Sequence, residues 1–173
     1  MTVLAGSTAG GGTNDFFNSG DLPASPYTTV AAGTPDQAQV VIRSGSTFTS
    51  LTIGIWADSS GNPGAKIGQF TAITDNTAGT KIVGGYTGSA LTLSQAIWVG
   101  ALTLGGAFND TGNSTGSGYK GRTGQASLPD PFGATDFADA TATLTLPILV
   151  EQVGSAAAPV TPPTFQAIPF MGP

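Results

Sequence analysis

The stretch Ser50-Leu51-Thr52-Ile53-Gly54-Ile55-Trp56-Ala57-Asp58-Ser59-Ser60-Gly61-Asn62-Pro63-Gly64 decides how the rest of the chain is read. Leu51, Ile53, Ile55 and Ala57 alternate with Thr52, Gly54 and Trp56, a period of two that places the first set on one face of a β-strand. That face belongs to a core. The alternation stops at Asp58. From there Ser-Ser-Gly-Asn-Pro-Gly supplies a side chain able to bond its own backbone, glycines free to take positive φ and a proline of fixed φ, which together predict a tight exposed turn.

Composition narrows the class of protein. The chain has 173 residues, enough to bury one core, and 39% of them are hydrophobic with a net charge of −5, so the balance of low hydrophobicity and high charge that marks disorder is missing. Charged residues make up 9%, against about 25% in an average globular protein, while there are 26 glycines and 12 prolines. A turn-rich β protein is expected. The basic residues Arg43, Lys66, Lys81, Lys120 and Arg122 form no cluster able to neutralise several phosphates, so no nucleic-acid partner is expected. No apolar run approaches the roughly 18 residues of a membrane helix, and the N-terminus lacks the basic start of a signal peptide, so neither membrane insertion nor general secretion is expected.

Further strands are predicted around the opening one: from Tyr27, over 39–43, 66–73, 81–83 and 90–93, along 96–104, and over 141–150. Pro147 cannot donate a ladder bond, so the last strand is expected at an edge or bulged. Residues 105–121 lack periodicity and read as a long exposed loop, and 127–137 as a proline-pinned one. The expected fold is all-β, an antiparallel β-sandwich of jelly-roll type with about eight strands. It divides into an extended N-terminal arm (1–25), a sandwich domain (26–153) and a Pro-rich extended C-terminal arm (154–173). Phe16 and Phe17 in the first arm, and Phe165, Ile168, Phe170 and Met171 in the last, are the candidate assembly contacts.

Chemistry is constrained by what the chain lacks. Without His or Cys there is no triad base, no thiol nucleophile and no ordinary zinc site, and no metal or cofactor is expected. Carboxylate chemistry survives on paper, with Asp130 beside Asp136 or Asp139 as a glycosidase pair, but a solvated acidic loop is the preferred reading and the chain is not expected to be an enzyme. Gly116-Ser-Gly118-Tyr-Lys-Gly121 matches G-x-G-x-x-G without the strand and helix that make it a dinucleotide site. Asp58 with Gly61 and Asn62 offers one carboxylate, too few for calcium, and Asn109 and Asn113 stand in glycosylation sequons expected by chance. Among the aromatics, Trp98 is expected to plug one end of the core. Trp56, Tyr119 and Phe132 are candidate platforms for a sugar ring, with packing as the default for each.

Residues 55–64, Ile-Trp-Ala-Asp-Ser-Ser-Gly-Asn-Pro-Gly, resemble a signature of jelly-roll sandwich domains in tailed-phage virion proteins and some bacterial surface proteins. Leu91-Thr-Leu93 followed by Ala96-Ile-Trp98-Val99 is similar to a later strand of those domains, with Ile97 in place of the usual aromatic. The loop Ser127-Leu-Pro-Asp-Pro-Phe132 also resembles the phage versions, and the likeness spans 27–152. The resemblance implies a virion structural protein, a capsid decoration, head-fibre or tail-fibre component. Its implied partners are capsid or other virion proteins, further copies in a homo-oligomer such as a trimer, and, in the fibre alternative, a host-surface glycan. These motifs are turn and packing motifs, so they speak to fold more directly than to function.

Overall fold

The computed structural model describes residues 1–8, 14–111, 119–139 and 146–153. Among the described residues there is no helix, and every paired strand is antiparallel. The strands are β1 (Thr2–Gly6), β2 (Asn14–Phe17), β3 (Leu22–Thr28), β4 (Gln37–Ile42), β5 (Ser50–Asp58), β6 (Pro63–Gln69), β7 (Gly79–Val83), β8 (Thr87–Gly88), β9 (Ala96–Leu104), β10 (Phe108–Thr111), β11 (Tyr119–Arg122), β12 (Phe137–Asp139) and β13 (Ile148–Gln152). They form a four-stranded sheet in the order β1-β13-β4-β7, a seven-stranded sheet in the order β12-β11-β3-β9-β5-β6-β8, and the pair β10-β2.

The two larger sheets face one another across a single apolar core. Leu51, Ile53 and Ile55 of β5 and Ile97, Val99 and Ala101 of β9 meet Leu4, Ala38, Val40, Ile42, Ile148 and Val150 of the four-stranded sheet. The alternation that began the sequence reading is therefore the inner face of β5, which pairs with β9 along its length from Ser50↔Leu104 to Ala57↔Ile97. One end of the core is closed by rings. Phe17 stacks on Phe108 with centroids 6.3 Å apart and meets Tyr119 edge-on at 5.6 Å, while Phe48 and Phe137 extend the group.

Several expectations are corrected. The described residues of 1–25 do not form an arm: β1 pairs with β13 from Thr2↔Gln152 to Gly6↔Leu149, Leu4 and Ala5 are fully buried, and Phe17 lies in the core. Thr- and Gly-rich sequence hid those strands because their burial comes from a single apolar residue or two each. Within the expected loop 105–121, β10 and β11 pair with β2 and β3. The strand segments outnumber the eight or so expected because β2, β8, β10, β11 and β12 are two to four residues long, too short to show a period. β13 begins after Pro147 and runs between β1 and β4, so it is not an edge strand; at Pro147 itself the Ile148 amide turns back to the Leu146 carbonyl at 2.8 Å, and 141–145 lie outside the described residues. Trp98 does not plug the inner core, since its neighbours Ile97 and Val99 face inward and it faces out.

Candidate functional site

The outer faces of the two sheets differ in what covers them. On the seven-stranded sheet, Gly54 leaves room for an indole: a Cβ there would lie 2.5 Å from the Trp56 ring and 3.0 Å from Leu128. Trp56 and Trp98, opposite one another on β5 and β9, build a second apolar cluster with Leu22, Ala24, Leu102, Leu128 and Phe132. Residues 123–136 fold over it. Trp56 Nε1 donates to the Pro129 carbonyl at 3.0 Å, the Lys66 amide to Asp130 Oδ1 at 2.9 Å, the Phe132 amide to the Gly64 carbonyl at 2.9 Å, and Arg122 Nη1 to the Phe132 carbonyl at 2.7 Å. A groove of about 450 Å³ remains beside this loop, lined by Thr52, Lys66, Gln69, Leu104 and Ser127 among others, where Lys66 Nζ donates to Gln69 Oε1 at 3.1 Å.

Of the candidate sugar platforms, Trp56 and Phe132 are taken up by this cover and Tyr119 by the inner core. Trp56 and Phe132 are fully buried and meet edge to face with centroids 5.1 Å apart, so neither offers a ring to a sugar. Tyr119 is half-buried on β11 against Phe17 and Phe137. Asp130 holds the Lys66 amide, and Asp136 Oδ2 accepts from the Thr123 amide at 2.9 Å; both carboxylates pin the loop, and Asp139's side chain lies outside the described residues. Asp58 is likewise committed. Its Oδ1 accepts from Trp98 Nε1 at 2.8 Å and its Oδ2 from the Gly61 amide at 3.1 Å. The indole bond first, and the amide bond second, hold its carboxyl below the ordinary value of 3.8. Ser60 and Gly61 both have positive φ, 54° and 78°, between reciprocal Ser59–Asn62 backbone bonds, the geometry of a two-residue hairpin turn. Lys120 Nζ reaches this turn from β11, donating to the Gly61 carbonyl and, at 2.7 Å, to Asn62 Oδ1. Asn109 sits in β10 with its side-chain Nδ2 donating to the Ser44 carbonyl at 3.0 Å.

The outer face of the four-stranded sheet has no such loop among the described residues. Register defines it. Val3, Glu151 and Gln37 stand in one row across β1, β13 and β4, and Leu149, Gln39 and Ile82 in the next across β13, β4 and β7. Val41 lies beyond them opposite Thr80. Ile82 is 63% exposed, Val153, next in the alternation of β13, 44%, and Val3 39%. Within β1, β13, β4 and β7, Glu151 is the ionisable side chain at an outward position, with Arg43 continuing the outward alternation one residue past β4, and Glu151 is buried: Gln37 and Gln39, successive outward residues of β4, both donate to its Oε2 at 2.8 and 2.6 Å. Two amides thus satisfy the carboxylate and leave the surrounding face apolar.

Sequence reasoning passed over this face, although a signal was present. Gln37-Ala-Gln39-Val-Val-Ile42 alternates amide and aliphatic side chains, and the single Glu of the chain sits within an apolar strand. Of the nominated assembly contacts, Phe16 is 59% exposed and Phe17 is buried. Phe165, Ile168, Phe170 and Met171, like Gly116, Gly118 and Asn113, lie outside the described residues. Among the described residues no group of three or more His, Cys, Asp or Glu side chains could hold a metal ion. No protein-family model matches this sequence, and neither a curated protein nor a solved structure matches it.

Proposed function

We propose that this chain is a non-enzymatic structural protein of a bacteriophage particle, a capsid-decoration or head-fibre component built on a jelly roll. In the virion it would contact capsid proteins and further copies of itself. The observation that carries this reading is the unequal treatment of the two outer sheet faces. One is closed by the chain's own loop, whose Leu128 and Phe132 lie on two tryptophans, while the other gathers Val3, Ile82 and Val153 at the surface around a carboxylate already satisfied by two glutamines. Exposed aliphatic side chains side by side on one sheet face are the chemistry of a face meant to be covered. The jelly-roll reading is supported by the path of the chain, which passes from the seven-stranded sheet to the four-stranded one between β3 and β4, back at β5, across again at β7 and back at β8.

Particles purified from an infected host should carry the chain at a fixed copy number, and the Ile82→Lys variant should stay in the soluble lysate with its thermal transition unchanged. A chain recovered only free of particles would overturn the reading. In the second reading, a tail or fibre domain binding host-surface glycan, the groove beside Lys66 supplies hydroxyl and amide groups, and Tyr119, packed on Phe17 and Phe137 at the end of the core, does not line it. A glycan array with signal abolished by Gln69→Ala would favour it, and a blank array would remove it.

A further inference from the structure

We propose that the outer face of the four-stranded sheet is the docking surface for residues 154–173 of a second copy of this chain. The inference rests on the assembly reading above and names the partner. Where the segment starts is the first argument. It follows Val153, which continues the outward alternation of β13, an inner strand of that sheet, so each copy emits its C-terminal segment beside the face in question. Length is the second. The 20 residues 154–173 include prolines at 159, 162, 163 and 169. At about 3.1 Å per residue they can span roughly 60 Å, whereas four strands about 4.8 Å apart make a face about 15 Å across. The segment's extended length is several times the width of the face beside which it begins, which gives its apolar side chains the reach to meet a neighbour's sheet.

Chemistry is the third argument. The segment carries no Asp, Glu, Lys or Arg, and its Val160, Phe165, Ile168, Phe170 and Met171 recur between prolines. Over its strands the face presents one outward ionisable group, Glu151, held by Gln37 and Gln39, with Arg43 beyond the end of β4, so an uncharged occupant lying on the strands covers Glu151 without stranding a charge. Val3, Val41, Ile82 and Leu149 supply apolar relief for the segment's rings, and a proline-restricted chain loses little entropy on docking.

The absence of cysteine in the natural sequence allows a direct test with the purified full-length chain and no particle, so that its outcome is independent of the virion reading. Ile82→Cys and Phe170→Cys chains are prepared separately, mixed, and oxidised, with Ala65→Cys, at an exposed position of β6 in the other sheet, replacing Ile82→Cys in the control. The proposal expects disulfide-linked pairs of one Ile82→Cys and one Phe170→Cys chain at about tenfold the control yield, because docking raises the local thiol concentration. Repeating the mixture with Phe165→Cys covers a shift of register along the segment. Three results overturn it: yields equal to the control at both segment positions, Ile82→Cys chains linked chiefly to each other, or a bridge that closes within one doubly substituted chain while the mixtures give none.

Discussion

Gly54 and Trp56 show how one residue's missing side chain sets another's position. Both face outward from β5, and the Trp56 ring occupies the space in which a Gly54 Cβ would lie, 2.5 Å from its nearest ring atom. The Gly54→Ala variant should therefore lose about 1–3 kcal/mol in denaturant unfolding through overpacking against the ring and Leu128. An unchanged midpoint would mean that the indole has room to move. Asp58 acts at the same scale. Its depressed carboxyl contributes stability above the ordinary value of 3.8, and that contribution disappears as pH falls through the folded value. Asp58→Asn should cost about 1 kcal/mol at neutral pH, after allowance for the group's exposure, and the gap between variant and parent should close below about pH 4. A gap that persists at pH 2 would contradict the Trp98 bond as its source.

Elements differ in how legible they were. β5 and β9 each bury alternate residues on both faces over nine positions, and their periodicity was plain in the sequence. The cover formed by 123–136 was not. It reads as a polar, proline-pinned loop because its grip on the sheet comes from Phe132, Leu128 and a set of backbone bonds, which leave no pattern in the residues. The same holds for β1, whose Thr2-Val-Leu-Ala-Gly6 gains its place from ladder bonds to β13 that no local signal announces. If the loop is the cover described, Phe132→Ala should cost about 3–5 kcal/mol and expose Trp56 to solvent, seen as a red shift of its emission. A change in stability without any spectral shift would separate Phe132 from the indole.

At the scale of the molecule, the chain leaves one sheet face closed by its own loop and the other apolar and open among the described residues. Sequence reading correctly placed an all-β sandwich and sought its assembly contacts in the termini. The N-terminal residues instead complete the four-stranded sheet, and the exposed side chains of that sheet, drawn from four strands distant in sequence, meet only through register. The most direct test of assembly through this face is the rate at which maleimide modifies Ile82→Cys, compared with Ala65→Cys, in free and assembled protein. The account predicts that assembly slows labelling at position 82 by about tenfold or more and leaves position 65 unchanged, as burial at one face and not the other requires. Equal rates at position 82 in both states would contradict it.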